Sequence, residues 1–494
     1  MIQARYRLAA LLLFAAVPAQ ALAEQPCATA TRSPVQAAVE GALTDAPQGA
    51  RFGFLVTTME GETLVAIAPD QRFIPASNTK IYTSAAAYAV LPELERSAKG
   101  TGVRLEPAAG GAVDVVLYGR GDARMSSAAD CTVDCLRTLA DAVAAKARHV
   151  RHVVGDDSWL PDERWGPGMS WNNIQSRYGT GISALTVDDN EWSLMLTPGK
   201  VGASPSIAAS PYFTVDNRVA TVEGKEEAIV AERAPGSRTI LLTGTVGASA
   251  APVRLRFGID DPAHFAAWRM HQLLIERGVQ VDGDATARHR PLLPSDDPKQ
   301  RGDAPPMRAP DMPMLAELQP PPLADDVRLI NKDSQNLYAD LMLRRLGRLG
   351  GSGSIADGQA ALRATMTAAG VAPEGYGLAD GSGMSSYNRI TPRATATLLS
   401  WVARQPWGDA WRATLPIAGV DGTLRNRFKG TSLEGRLFAK TGTLNASRAL
   451  SGYLLTKSGR TLIFSTLAND MPEGTDAAAS AAVDRALIAV AEAL

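Results

Sequence analysis

The stretch "PASNTK", Pro75–Lys80, sets a serine and a lysine three positions apart, immediately ahead of the apolar run "IYTSAAAYAVL". Pro75 and Ser77 read as a helix entry, and no Gly or Pro interrupts the run as far as Leu91. Residues three apart on a helix are neighbours, so with Ser77 in the first turn Lys80 would share its face. The amides of that turn would point at whatever Ser77 attacks, and developing negative charge would meet the positive helix end. A lysine held beside a hydroxyl and near a second cation can lose its proton and act as base. The spacing alone is weak evidence, since a chain this long carries about two Ser-x-x-Lys patterns by chance, and an ordinary polar helix start competes with it. The reading therefore demands another cation elsewhere in the chain.

Composition bounds the answer. With 494 residues, two or three domains are expected, and 45% hydrophobic with 20% charged residues describes a soluble globular chain. Fifty basic against 51 acidic residues argue against a general nucleic-acid or membrane-surface role. At the N-terminus, Arg5 and Arg7 precede the apolar stretch Leu8–Val17, and Ala21–Ala23 offers small residues for cleavage before Glu24, so residues 1–23 read as a secretory signal. No later segment is long enough for a stable transmembrane anchor. Three cysteines, Cys27, Cys131 and Cys135, allow at most one disulfide within a monomer. Cys131 with Cys135 is the nearer pair, although their spacing would be strained on a regular helix. The five histidines show no metal-binding spacing, so zinc chemistry has no support.

Along the chain, residues 51–68 read as a hairpin turning at Glu60-Gly61-Glu62 and delivering the backbone to Ser77. From "VDVVLYGRGD" at residue 113 to about residue 290, strand-like runs such as "TILLTGTV" alternate with turns, while "LRTLADAVAAKA" and "FAAWRMHQLLIERG" read as helices: a separate α+β unit. The Pro-dense segment Arg290–Pro313 marks return to another domain, and "GGSGS", Gly350–Ser354, reads as a flexible loop between helices. "LFAKTGTLNASRALSGYLLTKSGRTLIFSTLAN" carries strands with a turn at Lys457–Arg460, and an Ala-rich helix closes the chain.

The second cation lies in "AKTGTL". Lys440 sits on an expected strand followed by Thr441, Gly442 and Thr443, where glycine would let an extended peptide approach the backbone. A Lys-Thr-Gly triplet arises by chance only ~0.1 times in this length. Between the two lysine motifs, "NKDSQNLYADLMLRRL" places Ser334 and Asn336 ahead of a helix, where a cap-and-turn role is the commoner fate of such residues.

Taken in order, Ser-x-x-Lys, Ser-x-Asn and Lys-Thr-Gly resemble the serine penicillin-recognising enzymes. The long interval between Ser77 and Ser334, "DGSGMSSYNRITP" at Asp380–Pro392 and "LPIAGVDGTLRNRF" at Leu415–Phe428 resemble the class C low-molecular-mass penicillin-binding proteins, D-alanyl-D-alanine carboxypeptidases and endopeptidases. The resemblance spans nearly the whole chain after the signal, including "GRGDARMS" and "GDDSWL". It implies an α+β multidomain fold. Residues 24–95 and 292–494 would build a transpeptidase-like domain, an antiparallel sheet flanked by helices, and residues 96–291 a large insertion of one or two further domains, the second nested in the first.

The resemblance also implies roles: Ser77 as nucleophile, Lys80 as base, Ser334 as proton relay, Asn336 and Lys440 with Thr441, Gly442 and Thr443 as substrate-binding groups. The backbone amides of Ser77 and Thr443 would form the oxyanion hole. Peptidoglycan stem peptides would be substrates, β-lactams would acylate Ser77, no cofactor would be needed, and the enzyme would work in the periplasm. Asp156 and Arg389 are candidates for holding the distal end of the stem peptide, although a turn aspartate is as good a reading of Asp156. Trp159, Trp165 and Trp171 read as structural before they read as a saccharide wall. A β-lactamase is the rival within the enzyme class, disfavoured by the long interval between motifs. A wall-binding protein with a weak site is the rival outside it, disfavoured by three intact motifs.

Overall fold

In a computed structural model, residues 33–91 and 99–494 are described. The signal segment 1–23, Cys27 and the expected border at residues 95 and 96 lie outside the described residues. At the centre is a five-stranded antiparallel sheet in the order Leu437–Leu444, Ser447–Leu455, Thr461–Asn469, Arg51–Thr58, Thr63–Ile67. Both expected hairpins are present, and the terminal thirds of the chain meet where Arg51–Thr58 pairs with Thr461–Asn469.

Alternation along the strands fixes which side chains meet which helices. Phe54, Val56, Leu450, Leu454, Leu462 and Phe464 face one side, where Val35 and Val39 of helix Pro34–Thr44 and Val483, Leu487 and Val490 of helix Asp476–Ala493 cover them. Leu55, Ala449, Tyr453 and Ile463 face the other, against Ile81, Tyr82 and Ala85 of helix Thr79–Val90 and Leu398, Leu399 and Val402 of helix Pro392–Ala403. Because both faces are covered, the inner strands are nearly continuously buried. Helix Thr79–Val90 is enclosed on its remaining sides: Ala86 and Ala87 pack with residues of helices Leu323–Lys332, Asn336–Gly350 and Ile355–Ala368. A helix buried all round suits its small, apolar sequence and carries Lys80 into the interior.

The insertion contains a six-stranded mixed sheet. Val113–Tyr118 runs parallel to His149–Pro161 across helix Leu136–Ala144, and His149–Pro161 runs parallel to Ala285–Arg290 after helix Pro262–Glu276. Two smaller sheets, of three and four strands, are built from the chain between residues 191 and 258. The fold class is thus mixed α and β, with sheets flanked by helices in several domains. Two local expectations change. The Pro-dense segment does not leave the insertion at residue 292, because Ala316–Glu317 still pairs with Gly102–Val103. Residues 351–354 do not form a flexible loop: they are buried, Ser352 donates to Asp357 and Ser354 caps the following helix. Cys131 and Cys135 form a disulfide with Cα atoms 5.8 Å apart, feasible because Cys131 lies in the loop before helix Leu136–Ala144 and Cys135 is that helix's extended N-cap.

Candidate active site

Ser77 lies in a single 3-10 turn, Ala76–Asn78, that runs into helix Thr79–Val90. Its hydroxyl accepts from Lys80 Nζ at 2.9 Å. The same Nζ donates to Asn336 Oδ1 at 2.6 Å and to the Ser382 carbonyl at 2.6 Å, so three acceptors hold the ammonium. Across the cavity floor, Lys440 Nζ donates to Ser334 Oγ at 2.9 Å and to the Thr441 carbonyl at 3.0 Å. Three distant segments therefore converge as the motif order implies. Ser334 has φ of 59° and precedes helix Asn336–Gly350, which Asn336 itself begins; neither side chain caps that helix, and both meet lysines instead.

Glycine explains two close approaches. A Cβ on Gly442 would lie 2.6 Å from the Pro75 carbonyl oxygen and 3.2 Å from the Ser77 amide nitrogen. Edge strand Leu437–Leu444 can thus press its backbone against the Ser77 turn only without a side chain there. On the other flank, a Cβ on Gly383 would meet the Ala76 carbonyl oxygen at 1.9 Å. The same constraint lets the loop carrying the Ser382 carbonyl close over Lys80.

Both lysines are fully buried. Burial pushes the Lys80 ammonium down to about 8, against the opposing pull of Asp340 and Asp380. Burial also lowers Lys440 well below the ordinary lysine range, and the Lys80 charge adds to the effect. Asp340 is itself raised to about 7, by burial and then by Asp380. Asp340 accepts from the Gly381 and Ser382 amides at 2.8 and 3.1 Å. Asp380 accepts from the amides of Gly383 and Ser385 and from Asn388 Nδ2. These two carboxylates set both the shape of the loop and the field at Lys80.

Ser77, Ser334, Asn336, Thr441, Gly442 and Thr443 open onto one cavity of about 1150 Å³. Thr441 Oγ1 lies 2.8 Å from Thr423 Oγ1 on its rim. The opposite wall comes from the insertion, through Gly168, Met169, Ser170, Asn173, Ser176, Arg177 and Tyr178. The Tyr178 carbonyl accepts from Asn336 Nδ2 at 2.9 Å, which leaves Oδ1 turned toward Lys80.

Two of the expected substrate contacts lie away from the cavity. Asp156 is 2% exposed on strand His149–Pro161, where Arg104 and Arg288 neutralise it at 3.4 and 3.2 Å, and it does not line the cavity. The Arg389 guanidinium turns back onto the Ser386 and Asn388 carbonyls at 2.7 and 2.8 Å, also away from the cavity wall. The sequence reading missed Asp340, Asp380 and Tyr178. Asp340 had a signal, since it stands four residues after Asn336 and so on the same helix face. Tyr178 had none, because only the folded insertion brings it near.

Residues 35–494 match the D-Ala-D-Ala carboxypeptidase 3 (S13) family. The chain is 33% identical over 482 residues to a D-alanyl-D-alanine carboxypeptidase of Actinomadura sp. (strain R39), covering 92% of this chain and 84% of that protein. The crystal structure of penicillin binding protein 4 (dacB) from Haemophilus influenzae has the same fold, with a TM-score of 0.73 at 20% identity over 91% of this chain and 98% of that one. Its complex with a β-lactam gives 0.70 at 19% identity, with the same two coverages of 91% and 98%. Family match, identity and shared fold agree: the chain belongs to the D-Ala-D-Ala carboxypeptidase 3 (S13) family.

Proposed function

We propose that the protein is a serine-type D-Ala-D-Ala carboxypeptidase and DD-endopeptidase acting on peptidoglycan stem peptides and their cross-links, and that β-lactams acylate it at Ser77. The observation that carries this reading is the Ser77 hydroxyl 2.9 Å from a buried lysine whose proton affinity is depressed to about 8. At neutral pH roughly a tenth of such a lysine is unprotonated, enough to accept the serine proton as attack begins.

Ser77 Oγ bonds to the carbonyl carbon of the penultimate D-Ala while its proton passes to Lys80. The tetrahedral oxyanion is met by the Ser77 and Thr443 amides. The C–N bond then breaks, and the leaving amine takes a proton by way of Ser334, which Lys440 holds by its Oγ. Water, losing its proton to Lys80, attacks the ester carbonyl and frees Ser77. Lys440, Thr441 and Thr443 attract the terminal carboxylate, and the edge of strand Leu437–Leu444 pairs with the extended peptide. Asn336 binds the substrate amide and orients Lys80. A β-lactam presents the same carbonyl and carboxylate.

Export to the periplasm is part of the reading. The leader-like pattern at residues 1–23 and the Cys131–Cys135 disulfide support it, and no described helix is long and apolar enough to cross a membrane. Mass spectrometry of purified cross-linked muropeptides after incubation tests the activity. Monomers plus free D-Ala are expected; unchanged dimers and intact pentapeptides would refute it.

A further inference from the structure

Among the described residues three Trp, Tyr or Phe side chains are exposed: Trp171 at 69%, Tyr178 at 57% and Tyr387 at 67%. Tyr178 and Tyr387 line the cavity, on residues 166–178 of the insertion and 382–387 of the loop over Lys80, and Trp171 lies between the lining residues Ser170 and Asn173. The segments are joined: the Ser386 amide donates to the Gly168 carbonyl at 3.0 Å and Ser385 Oγ to the Pro167 carbonyl at 2.5 Å. Scattered surface aromatics need no explanation, but confinement of the exposed Trp and Tyr rings to two joined segments beside the cavity does.

Trp159 and Trp165 behave differently. Trp159 lies under the Arg348 guanidinium at 4.6 Å, and Trp165 donates to the Gly179 carbonyl at 2.8 Å. These two are structural, and Trp171 is not. We propose that Trp171, Tyr178 and Tyr387 form a subsite for the glycan strand, a neutral polymer of β-1,4-linked N-acetylated amino sugars. This deepens the function proposed above and rests on it, since the stem peptide entering the cavity hangs from such a strand.

The chemistry of the rim fits sugar better than peptide. Residues 166–178, "GPGMSWNNIQSRY", contain no Asp or Glu to take the ammonium groups of a second stem peptide. They offer amides and hydroxyls instead, from Ser170, Asn172 and Asn173, suited to ring hydroxyls and acetamido groups. The apolar C–H face of a pyranose stacks on an exposed ring, and the Arg177 guanidinium, 4.5 Å from the Tyr178 ring centroid, braces that residue.

The test compares two cross-linked substrates with identical peptides, one carrying glycan strands and one with the sugars removed by an amidase. The wild-type protein should prefer the glycan-bearing form by about tenfold in kcat/KM, expressed in KM. Trp171→Ala should erase that preference while cleavage of the sugar-free peptide and acylation by penicillin stay unchanged, and Trp171→Phe should keep most of it. Wild-type indifference to the glycan overturns the subsite, as does a Trp171→Ala loss of equal size on both substrates, which would mean a peptide contact. As a second measurement, N,N',N'',N'''-tetraacetylchitotetraose should bind the penicillin-acylated wild-type protein and not acylated Trp171→Ala; absence of binding to the wild type contradicts the proposal. Normal acylation and cleavage without glycan preference leave the function reading standing, whereas no acylation and no cleavage of either substrate sink both.

Discussion

Asn336 Oδ1 and Lys80 Nζ stand 2.6 Å apart although 256 positions separate them in the chain. The amide is held from behind, since its Nδ2 donates to the Tyr178 carbonyl of the insertion. The insertion thereby fixes the orientation of a group that fixes the base. Asn336→Ala should remove one of three acceptors from a buried ammonium and slow acylation by penicillin by about a hundredfold. Stopped-flow acylation kinetics measure it; a change of less than a few fold would detach Asn336 from the base.

The pH profile follows from Lys80. Its neutral form must be the base and its pKa sits near 8, so kcat/KM should rise with pH through about 8 and fall nearly tenfold per unit below it. The rate of penicillin acylation between about pH 6 and 9 reports this limb. A flat profile across that range would rule Lys80 out as the base.

Asp340 raises the proton affinity of Lys80. In Asp340→Asn the charge is gone while an amide oxygen remains to accept from Gly381 and Ser382, so the acid limb should move to lower pH. Because Asp340 itself titrates near 7, the contrast with wild type should be greatest above that value. A limb displaced upward would show that the carboxylate acts on the site by another route.

Gly442→Ala should place a methyl 2.6 Å from the Pro75 carbonyl oxygen and push strand Leu437–Leu444 off the Ser77 turn. With the Thr443 amide displaced from the oxyanion position, acylation should fall by about a hundredfold or more, and the clash with backbone should lower the thermal midpoint as well. Acylation kinetics alongside calorimetry separate the two effects, and retention of the wild-type rate would mean the strand does not supply that donor.

The sequence reading reached the central sheet, the enclosed helix after Ser77 and the three convergent motifs, because each is a short-range signal. Short apolar runs around a turn mark strands such as Arg51–Thr58, an uninterrupted apolar run marks helix Thr79–Val90, and Ser-x-x-Lys, Ser-x-Asn and Lys-Thr-Gly carry their chemistry in spacing. It failed where a side chain's fate depends on partners far along the chain. Asp156 reads equally as a substrate contact or a turn aspartate, yet Arg104 and Arg288 arrive from other strands of the same sheet to pair with it. Arg389 read as a free cation, yet its own loop supplies two carbonyls that capture it. The "GGSGS" loop read as flexible from composition, but Asp357 and Ser354 order it through hydrogen bonds that composition does not encode. Asp380 shows no role in the sequence, because its task is to hold backbone amides of a loop whose shape only the fold reveals.

Mass spectrometry of the protein incubated with benzylpenicillin, followed by peptide mapping, decides whether Ser77 is the nucleophile. One adduct of the drug's full mass is expected, carried by the peptide containing Ser77 and absent in Ser77→Ala. An unmodified Ser77 peptide, or an adduct on any other residue, would contradict it.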